Sequence, residues 1–364
     1  MTNRREFIKK AAIAGAISSI PGTLLAKNKL FESGKRSSED LIWSILIHLG
    51  RNHMNDFIPE EYNYEIHKIA SCDEARIWSN AYRRELTFDE NIWNDVLKEI
   101  SGAGMNMLLI DLEDGIRYES HPEIAVKDAW STTKLRDELA KVREMGIEPI
   151  PKLNFATTHD AWLGKYGRMV STDTYYSVCR DLIEEVIDIF DKPRFFHLGM
   201  DEETYAHQIK TQKLVVLRQD DLWWHDFYFL VSEVERHSVR PWIWSDYGWH
   251  NPDLFFKKMP KSVLQSNWYY GSFDTDKISD RAKKYINFYN ELEAHGYDQV
   301  PTGSNHSNDL NTEATVAYCK NAIDSTRLAG FMTAPWRPTL PVCFETLKEA
   351  IFQVMTACDI IYRR

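Results

Sequence analysis

Cysteine is scarce and unpatterned in this chain of 364 residues. Five occur, at positions 72, 179, 319, 343 and 358, without a CxxC pair or a Cys/His spacing that would hold zinc. They read as buried thiols, with room for one disulfide if the chain is exported. Histidine is equally unpatterned: no HxH and no HExxH occurs, so no metal motif is written in the sequence. Positive charge is short. Lys and Arg number 44 against 54 Asp and Glu, for a net charge of −10. Arg4, Arg5, Lys9 and Lys10 against Glu6 make the first 26 residues +3, so the remainder carries −13. An acidic body of that kind argues against polyphosphate ligands, and nucleic acid is not expected as a partner. No run of about 20 apolar residues is present, the length a membrane-spanning helix needs. No glycine-rich phosphate loop follows the first predicted strand, because Gly102-Ala-Gly-Met105 precedes a strand. No cofactor is implied, and neither an internal repeat nor a second domain is visible.

What is present is a folded, aromatic-rich chain. Hydrophobic residues make up 43% and charged residues 27%, which excludes wholesale disorder. The 12 Trp and 17 Tyr suit either a large core or the lining of a sugar site. Short apolar, β-branched or aromatic runs recur at 41–50, 106–114, 147–155, 194–202, 240–248, 262–270, 298–306 and 328–336, the seventh being the weakest. Amphipathic helical patterns separate them, at 89–101, 133–144, 171–190, 222–237, 278–294, 312–323 and 344–361. Eightfold strand–helix alternation predicts a single (β/α)8 barrel over residues 41–364. Residues 51–88 then form an insertion between the first strand and its helix, expected at the rim of the site.

The N-terminus reads Thr-Asn-Arg-Arg-Glu-Phe-Ile-Lys-Lys over residues 2–10, followed by a small-residue apolar run over 11–26. This resembles a twin-arginine export signal, an address read by a receptor and no part of the fold. Residues 1–26 are therefore expected to be the signal and 27–40 a polar linker. Cleavage is expected after Ala26, with Leu24 a poor fit at −3, and an uncleaved, membrane-tethered form is the alternative. The resemblance implies a periplasmic or otherwise exported protein that meets the twin-arginine machinery on its way.

In such barrels the site lies where the strands end. The predicted ends are polar: His48 and Arg51, Asp111 to Asp114, Asn154, His197 with Asp201 and Glu202, Asp246, Asn267 to Tyr270, Asn305 and His306, Trp336 and Arg337. Acids and aromatics converging on one rim suit carbohydrate chemistry. In the fourth strand, alternation puts His197, Gly199 and Asp201 on one face and Phe196, Leu198 and Met200 on the other. Glu202 then projects over the mouth. Two adjacent carboxylates in one pocket raise one another's pKa, which suits a general acid. The competing reading makes Asp201 and Glu202 a helix cap or an Arg partner, and His197 a core histidine.

His197-Leu-Gly-Met-Asp-Glu202 resembles the His-x-Gly-Gly/Ala-Asp-Glu motif of the family-20 β-N-acetylhexosaminidases. Other segments resemble that family in the same order: Leu46 to Met54, Gly104 to Glu119, Ala140 to Phe155, and Phe331 to Trp336. The likeness covers about residues 41–340, the barrel alone. It implies cleavage of terminal β-linked N-acetylhexosamine by substrate assistance, in which the sugar's own acetamido oxygen attacks the anomeric carbon. It makes Glu202 the acid and then the base, and Asp201 the group that holds the acetamido N–H. Arg51 would bind the 3- and 4-hydroxyls. Trp268 and Trp336 would wall the acetamido pocket, with Tyr270 reaching its carbonyl. His197 and Asp114 would support the acid, and Asp246 would belong to the rim.

Four departures bear on the substrate. Met200 replaces a small residue, His48 stands where the family has Asp, and Lys152 stands where it has Glu, with His159 a candidate for the family's next His. The last strand reads Trp336-Arg-Pro where the family has Trp-x-Glu, so Arg337 favours an anionic sugar or a different hydroxyl pattern. Two other readings stay open. His197, Asp201, Asp246 and His306 could gather a divalent metal in a barrel hydrolase or isomerase. A carbohydrate-binding barrel without turnover would keep the aromatics and not need Glu202.

Overall fold

The computed structural model describes residues 40–55, 69–78, 80–210 and 215–362. The expected signal segment, and all of the linker but its last residue, lie outside the described residues. Eight parallel strands form the barrel: β1 Ile42–His48, β2 Met107–Asp111, β3 Glu148–Lys152, β4 Phe195–His197, β5 Arg240–Trp244, β6 Leu264–Ser266, β7 Thr302–Gly303 and β8 Gly330–Thr333. Each pairs with its sequence neighbours, and β1 pairs with β8. Single bridges Gln265–Gln299 and Trp268–Thr302 close the ring between β6 and β7. Backbone bonds there, Val300 N to Gln265 O at 2.9 Å and Thr302 N to Asn267 O at 3.0 Å, do the work of a fuller ladder.

A helix leads from each strand towards the next: α1 Glu90–Gly102, α2 Thr132–Glu144, α3 Asp173–Ile189, α4 Asp220–Glu235, α5 Pro252–Lys258, α6 Asp280–Ala294, α7 Asn311–Ala322 and α8 Phe344–Thr356, with short extra helices at Cys72–Trp78, Tyr205–Gln208 and Tyr247–His250. Local chemistry starts several of them. Asp89, Ser131, Thr172 and Ser279 each accept a backbone N–H from the first turn. The apolar stripes then face the strands: Trp93, Val96, Leu97 and Ile100 on α1, and Leu135, Leu139 and Val142 on α2, are all buried.

The differences from the sequence expectation are local. The fourth run ends as a strand at His197 and not at residue 202, because Gly199, Met200 and Glu202 all take positive φ. The seventh shrinks to Thr302–Gly303, as its proline, its glycine and its lack of a β-branched run foretell. Helix α8 ends at Thr356, and its last predicted turn continues as a π-helical turn, Ala357–Tyr362. Met200 is buried in the main core, which spares the site its bulk.

Candidate active site

Parallel register lays one polar row across the barrel interior. His48 pairs with Asp111, Asp111 with Lys152, Lys152 with His197, and His197 with Trp242. All five are buried. Lys152 Nζ lies 2.6 Å from Asp111 Oδ2, and His48 Nδ1 lies 3.0 Å from the same oxygen. Burial opposes the charge of Asp111, but Lys152 and the hydrogen bond from His48 hold its carboxyl below the usual range. Burial, helped by Arg51, pushes His48 down to about 4. The row is therefore the floor of the site and is electrically closed.

Above it opens a cavity of about 350 Å³. Its wall includes Arg51, Asp201, Glu202, Trp268, Tyr270 and Trp336, six of the residues expected from the sequence. Asp201 accepts a 2.8 Å hydrogen bond from Asn154 Nδ2. Asn154 is itself fixed, since its Oδ1 accepts the N–H groups of Ala156 at 3.0 Å and Met200 at 3.3 Å. Gly199 makes this fit: a Cβ there would lie 1.9 Å from Asn154 Oδ1, and the backbone has φ +73°. His159 leans over both acids, with Nδ1 3.8 Å from Asp201 Oδ1 and Nε2 3.5 Å from Glu202 Oε2. The Glu202 side chain keeps 38% of its surface open to the mouth.

Aromatic rings complete the wall. Trp268 and Tyr270 stack at 5.1 Å between centroids, and Trp244 and Trp336 meet at 6.0 Å. Trp336 Nε1 donates to Tyr270 Oη at 3.0 Å. Apolar faces and one polar edge in this arrangement suit the face and methyl of an acetamido sugar. Arg51 enters from the insertion and donates to Trp336 O at 3.4 Å. Burial lowers its guanidinium to about 10, so it is cationic at neutral pH. Met200, Glu202 and Trp336 all hold left-handed φ, +73°, +54° and +52°, at this rim.

Four expected site residues do not reach the cavity wall. Asp246 stands behind it: Oδ2 accepts the Glu202 N–H at 2.9 Å and Oδ1 accepts Trp268 Nε1 at 3.3 Å. Burial first, and the neighbouring Asp201 charge second, push the Asp246 carboxyl well above the ordinary range. Asp114 turns away and accepts Asn52 Nδ2 at 2.6 Å. The carboxylate from that segment that reaches the cavity is Glu113, because a short turn with φ +41° at Glu113 rotates the chain by one residue. His197 lies one layer down, with its ring 4.6 Å from that of Trp244, and burial pushes it well below its usual pKa. The histidine that lies beside both acids is His159. Arg337 points behind Trp336, donating to Pro335 O at 3.2 Å and approaching Asp73 at 4.0 Å.

The wall also includes residues that spacing did not single out for the site: His53, Arg76, Asn80, Glu113, Trp244 and Ser307. The alternation of β5 could have found Trp244, two positions beyond the inward Trp242. The others come from loops, where no period exists to read. Of the four groups in the metal reading, only Asp201 and His306 line the cavity. Among the described residues, no three His, Cys, Asp or Glu side chains are placed to hold a metal ion.

No family model matches the chain. Hexosaminidase D of Bos taurus is 22% identical over 201 residues, which is 49% of this chain and 58% of that protein. A solved β-N-acetylhexosaminidase superposes with a TM-score of 0.55 at 10% identity, covering 85% of this chain and 71% of its own. A mutant Streptomyces plicatus β-hexosaminidase solved with its product GlcNAc gives 0.53 at 12%, covering 85% of this chain and 63% of its own. The chain spans about half the length of several other solved relatives. At these identities the likeness is one of fold, and the chain adopts the (β/α)8 barrel fold of the family-20 β-N-acetylhexosaminidases.

Proposed function

We propose that the protein is an exported glycoside hydrolase of β-N-acetylhexosaminidase type. It removes terminal β-linked N-acetylhexosamine by a substrate-assisted, retaining mechanism. One observation carries this reading: Asp201 and Glu202 share a cavity with Trp244, Trp268, Tyr270 and Trp336. Rings hold the sugar face and the acetamido methyl while the two acids meet the reacting centre. Glu202, half open to the mouth, gives its proton to the leaving oxygen as the acetamido oxygen closes on the anomeric carbon. It then takes a proton from the water that opens the oxazolinium ring. Asp201, held by Asn154, accepts the acetamido N–H and stabilises the positive charge that develops there. His159 sits between the acids and orients both. Arg51 binds outer hydroxyls. The acidic body and the twin-arginine resemblance support a periplasmic glycan as the natural substrate.

The test is nitrophenol release from a panel of aryl β-glycosides, with Glu202→Gln assayed beside the unaltered enzyme. The 2-acetamido sugars are cleaved and plain glucosides are not. Glu202→Gln loses at least about a hundredfold in kcat, the order of a lost general acid. Sugar binding without turnover in the unaltered protein would instead favour the binding-only barrel.

A further inference from the structure

We infer that Cys72 and Cys343 are a disulfide-forming pair, oxidised by an external disulfide to a covalent clamp on the rim helix Cys72–Trp78. That helix belongs to the insertion after β1, and Cys343 lies in the turn before α8. Cys343 Sγ lies 3.9 Å from the Cys72 carbonyl oxygen, so the two cysteines are in direct contact. Both belong to a small apolar cluster apart from the main core, where Ala75, Leu340 and Cys343 are buried and Ile69 and Cys72 pack against them. Cys179 and Cys319 sit instead in the main core. The clamp has a place to act, because the same helix carries Arg76 into the cavity wall and Asp73 towards Arg337.

The two thiols are unequal in a way that orders the chemistry. The neighbouring Cys343 thiol pulls the half-buried Cys72 thiol down to about 6, with Thr346 and Arg337 helping against burial. The same contact and burial push the Cys343 thiol up. Cys72 is therefore the attacking thiolate at neutral pH. It attacks one sulfur of the external disulfide, breaks that S–S bond and releases one thiolate. Cys343 then loses its proton to solvent, attacks the Cys72 sulfur of the mixed disulfide and releases the second thiolate. Two protein thiols are oxidised by two electrons, and the external disulfide is reduced to two thiols. The closed loop joins residues 271 positions apart, so the bond removes a large share of the unfolded chain's freedom. An exported chain meets the oxidising conditions this needs. The inference stands or falls apart from the sugar chemistry, since it is read on thiols and stability.

The full chain is incubated folded with oxidised glutathione, then denatured, alkylated and peptide-mapped. The expected result is loss of two of the five thiols, a cross-linked peptide joining Cys72 to Cys343, and a Tm rise of about 5 °C that dithiothreitol reverses. Cys72→Ser, half-exposed and tolerant of change, shows neither the link nor the rise, while Cys358→Ser keeps both. Five alkylatable thiols after oxidation overturn the inference. So does glutathione retained on Cys72 without a cross-link, or an equal Tm rise in Cys72→Ser. A cross-link that leaves Tm unchanged overturns the clamp.

Discussion

On the β1–β3 side of the cavity, Asp111 has Lys152 at 2.6 Å and His48 at 3.0 Å. On the β4–β5 side, Asp201 takes its 2.8 Å hydrogen bond from a neutral amide, and Asp246 takes both of its bonds from neutral N–H groups. The two sides use the same residue type, one in the floor and one in the wall, for different ends. A buried cation neutralises Asp111 and makes it part of the scaffold. A neutral donor orients Asp201 towards the cavity, where the proposed mechanism has it meet a cation that forms only during reaction. The carboxyl pushed up on that side is Asp246, the one hidden behind the wall, which keeps a second negative charge away from the pair.

The contrast is broken most directly at its neutralised end. Lys152→Met leaves Asp111 buried without its cation, and we expect a loss of about 3–5 kcal/mol in urea unfolding. Glu202→Gln, at the open end, should move stability by less than about 0.5 kcal/mol. Equal losses in the two variants would erase the distinction between scaffold and chemistry.

Asp114 sharpens the scaffold side through pH. Burial raises its carboxyl to about 7, against the hydrogen bond from Asn52. Its folded pKa is above the unfolded one, so its contribution is complete below about pH 4 and is lost as pH rises towards 7, by about 4 kcal/mol at most. Asp114→Asn should flatten that fall in a pH series of unfolding curves. A wild-type slope that the variant reproduces would move the origin elsewhere.

Two smaller changes probe the orienting donors. Gly199→Ala must displace Asn154, whose Oδ1 would lie 1.9 Å from the new methyl. A stability loss of about 1–3 kcal/mol should come with a fall in kcat, because Asp201 loses its orienting amide. Trp268→Phe removes the 3.3 Å bond to Asp246 and keeps one aromatic ring against Tyr270. Its kcat/KM should drop about fivefold, the scale of one hydrogen bond of about 1 kcal/mol. A drop beyond about a hundredfold would give Asp246 a larger part than holding the wall.

The barrel was legible because its signal is periodic. All eight strand runs, Thr302–Gly303 the weakest, and seven of the eight barrel helices follow from apolar runs and caps; the helix Pro252–Lys258 spans seven residues, too few to show a period, and does not. The two adjacent acids were legible too, from the run His197 to Glu202, although the strand expected to carry them stops at His197. The floor was not. His48, Asp111, Lys152 and His197 are brought into one row by register, and register between parallel strands far apart in sequence leaves no local trace. Nor could spacing separate Glu113 from Asp114. One positive φ decides which of them faces the cavity, and neither residue type announces it.

The left-handed backbone at Met200, Glu202 and Trp336 has a consequence for anyone seeking a hardier enzyme. Each such residue costs on the order of 1–3 kcal/mol, and all three border the cavity or its acids. Substituting Asn or Gly at position 202 relaxes the chain at one of these positions. A selection for heat resistance alone would therefore reward replacing Glu202, and under the proposed mechanism the durable barrels it returned that way would be inert.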